Sequence, residues 1–202
     1  MRIAFIRHGI TSWNEEQRIQ GQSDIALSAA GIRQVQRWHL PNALENPVIH
    51  SSPLRRCLQT AAIMGFASPK TDGALMEMNW GQWEGKKLTD LRKSLGDEMK
   101  KNEQSGIDFQ PPNGESPRQV SQRLYRWIQS LDGQDRLVFT HKGVLRAAYS
   151  LALDWNMKQD LDFKLNRDAM HLFSYDGQIL NLLKENILLQ GIDGPEASLK
   201  TT

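Results

Sequence analysis

Ile3-Ala4-Phe5-Ile6 runs straight into Arg7-His8-Gly9, and Arg136-Leu137-Val138-Phe139-Thr140 runs in the same way into His141-Lys142-Gly143. Each is a short apolar run without polar alternation, the pattern of a strand buried on both faces, and each stops abruptly at a histidine. Ligands of open α/β sheets bind beyond the carboxyl ends of strands, so both histidines stand where such a site would form. Outward from these two runs, Val48-Ile49-His50 reads as another buried strand. Ser52-Pro53 then reads as an N-cap with proline at the first helical position, which puts Arg55 and Arg56 in that helix's first turn. After His141, the positions Val144, Leu145, Ala148, Leu151 and Ala152 keep helical spacing. Ser116-Pro117-Arg118-Gln119 is a capping-box pattern, followed by Val120, Leu124, Trp127, Ile128 and Leu131 on one helical face.

Residues 86–102 read as one polar surface helix, and 42–47 and 110–114 as loops rich in turn-forming residues. Alternation over 171–175, the turn Asp176-Gly177 and a second run over 178–183 predict a closing hairpin. Strands alternating with helices and ending in a hairpin give an α/β fold, a three-layer sandwich with a mostly parallel central sheet flanked by helices. A chain of 202 residues has the length of one domain, expected over 1–190, with the polar stretch 191–202 as a frayed tail.

With 25 basic and 23 acidic side chains the formal charge is +2, and no long single-sign run supplies the footprint a nucleic acid needs. The first apolar stretch holds four residues before the next charge, too short for a signal sequence or a membrane span. Cys57 is the sole cysteine, so no internal disulfide forms and a reducing cytoplasm is the expected compartment.

Phosphate-handling signatures can be checked in turn. No Gly-rich loop ends in Lys-Ser or Lys-Thr, and the residue six after Cys57 is Ile63, not arginine, which disfavours a P-loop kinase and a cysteine phosphatase. Neither His-Glu-x-x-His nor clustered aspartates appear, so metal-assisted hydrolysis lacks its ligands and no cofactor is expected. What remains is a set of arginines, histidines and a carboxylate at strand ends and loops, able to spread positive charge around a phosphate in place of a metal.

The ordered series Arg7-His8-Gly9-Ile10-Thr11-Ser12-Trp13-Asn14, Arg18-Ile19-Gln20-Gly21, Leu27 to Gly31, Ser52 to Ala61, Leu75 to Gly85, Gly114-Glu115-Ser116 and Thr140 to Arg146 resembles the histidine phosphatase superfamily over about residues 1 to 175. Within it, the Pro-Pro-Asn-Gly-Glu-Ser segment and the size are similar to alpha-ribazole phosphatase and phosphoglycerate phosphatase relatives. The resemblance implies that His8 attacks phosphorus and becomes a phosphohistidine, with Arg7 and Arg56 as bidentate phosphate cations. It makes His141 the second histidine, donating to the transferring phosphoryl group. It makes Glu77 the acid that protonates the leaving group and then activates water. Asn14 and Gln20 match pocket positions that contact phosphate or leaving group. Lys142 departs from a glycine common in relatives and adds a cation near the phosphate or points to solvent.

Several residues also have plainer readings. Arg55 is taken as the surface member of its pair, His39, His50 and His171 as structural or exposed, and Cys57 as an inert helix residue. Trp80, Trp83 and Trp127 are packing residues, although Trp80 and Trp83 flank the Glu77 segment and line a leaving-group pocket if one forms there. Glu84 is the rival to Glu77 as proton donor. The expected activity is hydrolysis of a small phosphorylated metabolite, the compact stretch from Glu77 to His141 favouring it over a phosphoglycerate mutase. A non-catalytic phosphate-ester sensor is the third reading.

Overall fold

The computed structural model describes residues 1–189, and the tail expected over 191–202 lies outside them. The strands are β1 (Arg2–Arg7), β2 (Val48–Ser51), β3 (Lys70–Thr71), β4 (Arg136–Thr140), β5 (Ala169–Tyr175) and β6 (Leu180–Leu188). The helices among the described residues are α1 (Ser12–Glu15), α2 (Ala29–Val35), α3 (Arg55–Ile63), α4 (Leu88–Leu95), α5 (Asp97–Gln104), α6 (Pro117–Gln129) and α7 (Lys142–Leu153). The strands form one sheet in the order β3-β2-β4-β1-β5-β6. Three neighbouring pairs are parallel, and the two pairs made by β5 are antiparallel.

Period-two geometry divides each apolar strand between two cores. Ile3 and Phe5 join Val138 and the inner faces of α6 and α7 on one side of the sheet. Ala4 and Ile6 join Leu137, Phe139, Val35 of α2 and Cys57 and Ala61 of α3 on the other. This makes the expected three layers, and it explains why β1 and β4 are apolar throughout: neither face meets water.

Helix α6 has the capping box that its sequence specifies. Ser116 Oγ accepts from Gln119 N at 3.3 Å, Gln119 Oε1 accepts from Ser116 N at 2.8 Å, and Pro117 takes the first helical position. The hairpin is longer than its alternation suggested, and Asp176 closes its turn by accepting from the backbone of Gln178 and Ile179.

Two expectations are corrected. Ser52 does not cap α3, which starts at Arg55 with Leu54 as N-cap and no side-chain cap bond; the Ser52 hydroxyl is committed elsewhere, as shown below. The surface helix over 86–102 is two helices, broken at Gly96, whose φ of 53° leaves the helical region; only glycine adopts such a conformation at little cost. The edge strand β3 and the short helices α1 and α2 carry too little apolar periodicity to be read from sequence.

Candidate functional site

The site follows from the strand register. Arg7 of β1 pairs with Thr140 of β4, and His8 N donates to Thr140 O at 3.0 Å. The residues after these two strand ends therefore lie side by side, and the rings of His8 and His141 are 5.2 Å apart between centroids. Strand β2 flanks β4 on its other side, bringing Ser52 and the first turn of α3 to the same edge.

Burial leaves His8 only 2% exposed. Its Nδ1 lies 2.7 Å from Gly9 O. A carbonyl can only accept, so Nδ1 carries the proton and Nε2 the lone pair. Burial pushes the imidazole well below its ordinary value, and the cations Arg7, Arg56 and Arg167 push in the same direction. The ring is therefore neutral at pH 7, as a nucleophile must be. Arg7 Nε is buried with no hydrogen-bond partner among the described residues. Leaving such a donor unsatisfied costs about 1–3 kcal/mol, a cost that a bound anion would remove.

His141 has the opposite arrangement. Arg56 Nε donates to its Nδ1 at 3.2 Å, which puts the ring proton on Nε2, 2.8 Å from Ser52 Oγ. Arg56 is fully buried, with Nη1 donating to Ser23 O at 2.8 Å and Nη2 to Gly21 O at 2.7 Å. Three of its five N–H groups are thus engaged and two remain. Cys57 Sγ touches the same histidine at 3.4 Å; burial pushes its thiol up, the state of an unreactive cysteine.

The two candidate acids separate as clearly. Glu77 Oε1 accepts from Met78 N and from Gly143 N, both at 2.9 Å, at the start of α7. Oε2 has no hydrogen bond to the protein among the described residues, and Glu77 lines the cavity described below. A Cβ on Gly143 would lie 2.1 Å from Glu77 Oε1, so any larger residue there would displace the carboxylate from this position. Glu84 by contrast uses both oxygens, Oε1 accepting from Gln22 N and Trp80 N and Oε2 from Ser23 N and Ser23 Oγ. Gly21, at φ 51°, leaves room for this carboxylate, which a Cβ would meet at 1.9 Å. Glu84 ties the loop over 20–23 to the Glu77 segment and keeps no oxygen for a substrate.

The sequence profile of the histidine phosphatase superfamily (branch 1) matches residues 3–187. The chain belongs to this superfamily. It is 29% identical to phosphoglycerate mutase-like protein 4 of Arabidopsis thaliana, over 97% of this chain and 93% of that protein. It is 33% identical to the probable phosphoglycerate mutase GpmB of Escherichia coli, over 64% of this chain and 62% of that one. Among solved structures, TTHB049 from Thermus thermophilus superposes with a TM-score of 0.74 at 29% identity, covering 93% of this chain and 100% of that one.

The remaining expected residues of this histidine phosphatase chain lie around the same edge. Gln20 Oε1 accepts from Thr11 Oγ1 at 2.9 Å, leaving its amide N–H groups for a ligand. Asn14 Oδ1 accepts from Thr11 N at 3.2 Å and from Arg167 Nη1 at 3.1 Å. Lys142 lines a cavity beside Glu77. Arg55 and His39 are exposed, while His50 packs on Trp127 and His171 is buried against the Tyr149 hydroxyl at 2.7 Å.

Sequence reasoning missed three groups. Arg167, in the loop before β5, reaches His8 O at 3.3 Å as well as Asn14; burial and Arg7 push its guanidinium down to about 9. Nothing near it in sequence marks it, since it comes to the site only through the pairing of β5 with β1. Ser52 looked like a helix cap and instead faces His141. Arg123 donates to Ala74 O, Met76 O and Glu77 O and pairs with Glu115 at 3.0 Å. That pair holds the Glu77 segment against α6, and the quoted Gly114-Glu115-Ser116 motif was its available signal.

Proposed function

We propose that the protein is a phosphomonoester hydrolase acting on a small phosphorylated metabolite through a phosphohistidine at His8. The observation that carries this reading is the state of His8: a buried neutral ring whose Nδ1 proton is fixed on a carbonyl, so that the Nε2 lone pair is available beside a guanidinium lacking a partner.

In this reading the phosphate dianion binds among Arg7, Arg167 and the two remaining N–H groups of Arg56, which offset the charge that repels a nucleophile. Nε2 of His8 attacks phosphorus and the P–O bond to the leaving group breaks. Glu77, through its free oxygen, gives a proton to the departing alkoxide; it then takes a proton from the water that cleaves the P–N bond and releases inorganic phosphate. Asn14 and Gln20 add polar contacts. His141 orients Arg56, and donates to the phosphoryl group once its Nε2–H leaves Ser52. Hydrolysis is favoured over mutase chemistry by the compact stretch between Glu77 and His141, although relatives carry mutase names. No three His, Cys, Asp or Glu side chains among the described residues are grouped to hold a metal ion, and none of these steps requires one. No helix among those residues is long and apolar enough to cross a membrane. The sole cysteine, Cys57, supports our reading of a reducing cytoplasm as the compartment.

The test follows the phosphorus. Brief mixing with ³²P-labelled substrate and an alkaline quench, which spares N–P bonds, should trap label on His8, and His8→Ala should abolish it. Phosphate release should match substrate loss without a bisphosphorylated primer. Isomerisation of phosphoglycerate outrunning phosphate release would reassign the protein as a mutase, and ester binding without any label would make it a sensor.

A further inference from the structure

Beside Glu77 opens a cavity of ≈ 570 Å³, lined by Met78, Trp80, Leu88, Phe109 and Met157 and by three cations, Arg92, Lys142 and Arg146. Glu77 stands on its wall, so a leaving group accepting the Glu77 proton would extend into this space. The three cations differ in how they are neutralised. Arg92 is paired with Glu103 at 2.7 Å, and both line the cavity. Lys142 and Arg146 form no ion pair among the described residues, although Arg146 lies over the Trp155 ring with Cζ 4.7 Å from its centroid.

Lys142 and Arg146 are four residues apart on α7, and side chains at that spacing share a helix face. Lys142 is the more exposed of the two, its ammonium still partly shielded by its neighbours, and Arg146 is half-buried. Like charges at this spacing destabilise a helix. Burial pushes both groups down; Arg7 and Arg146 add to the shift of Lys142, while Asp160 and Glu77 oppose that of Arg146. Counting the lining residues, three cations face the two carboxylates Glu77 and Glu103, and a protonated Glu77 widens that excess. The lining thus combines apolar side chains with two cations that have no ion-pair partner among the described residues, while the transferred phosphate is served by Arg7, Arg56 and Arg167 in the reading above.

We infer that this cavity is a leaving-group subsite for phosphomonoesters whose leaving group carries a second anionic group on an apolar body, with Arg146 and Lys142 binding that anion. The inference rests on the hydrolase reading above and deepens it. A carboxylate and a second phosphate share the chemistry required, two or more acceptor oxygens on a negative centre. Apolar contact with Trp80 and Phe109 adds affinity for an aromatic or aliphatic body.

The test compares 4-carboxyphenyl phosphate with its neutral near-isostere 4-carbamoylphenyl phosphate, with the 3-substituted pair and a phosphonooxyphenyl phosphate as further arms. The wild-type protein should favour the anionic ester of at least one pair by roughly ten-fold in kcat/KM, mainly through KM. Arg146→Met and Lys142→Met should each cut that preference several-fold, and Arg146→Lys should keep most of it; melting temperatures verify that the variants are folded. No preference in the wild type, or a preference untouched by Arg146→Met, overturns the inference. Calorimetric binding of the same esters to His8→Ala separates the two claims: selective binding without hydrolysis by the wild type would sink the hydrolase reading and sustain the subsite. Equal binding of charged and neutral esters would sink the subsite and leave the hydrolase standing.

Discussion

His8 and Glu77 on one side, and His141 and Glu84 on the other, are pairs of the same residue types within one small volume, and they differ in which atoms are left over. His8 spends Nδ1 on Gly9 O and keeps Nε2; Glu77 spends Oε1 on two backbone N–H groups and keeps Oε2. His141 has partners at both ring nitrogens, and Glu84 has two at each oxygen. A fixed ring or carboxylate with one free atom is positioned to react, whereas one with none is positioned to hold its neighbours. The comparison teaches that chemistry at this edge is assigned by unsatisfied valence, and residue type alone does not separate the pairs.

The largest effect expected from breaking the comparison is at the histidines. His8→Ala should lower turnover by on the order of 10⁴-fold or more, because the nucleophile itself is lost. His141→Ala should cost roughly 100 to 1,000-fold, the scale of removing an electrostatic donor and a positioning group, and should still permit slow labelling of His8 in rapid-quench experiments. Equal losses, with labelling abolished in both, would erase the distinction drawn between them.

The acids sharpen it next. Glu77→Gln should slow hydrolysis of alkyl phosphates by roughly 100 to 10,000-fold, the range of general acid catalysis, and much less for p-nitrophenyl phosphate, whose leaving group departs without a proton. Glu84→Gln should instead lose about 1–3 kcal/mol of stability as backbone donors go unpaired, slowing both substrates alike. The leaving-group dependence measured for the two variants decides between the acids; if Glu84→Gln alone discriminates, the assignment is reversed.

The smallest effect concerns protonation. His8, His141 and His171 are all held neutral below their ordinary value, His171 down to about 4. The unfolded chain takes up these protons near pH 6.5 while the folded chain does not. Stability is therefore complete above about pH 6.5 and falls as pH falls toward the folded values; the His171 shift alone corresponds to roughly 3 kcal/mol by pH 4. Melting temperatures from pH 7.5 to 4.5 should fall accordingly, and ¹⁵N spectra of labelled histidines should show His8 still neutral at pH 6. A His8 signal titrating at its ordinary value would remove the basis for its neutral nucleophilic state.

Much of this was legible in the chain because the signals are local. An apolar strand ending in Arg7-His8-Gly9, another ending in Thr140-His141, and the box Ser116 to Gln119 each depend on neighbours in sequence, so burial and capping physics act on them directly. The parallel layering followed from the same apolar runs, which water on either face would not allow. The tertiary structure alone decided which groups would be left free. Ser52 turned from helix cap to partner of His141, Glu84 became the clamp of the loop over 20–23, and Arg167 reached His8 from 159 residues away. Hydrogen-bond satisfaction is settled by contacts between distant segments, and no period or motif within one segment records which donor another segment will supply.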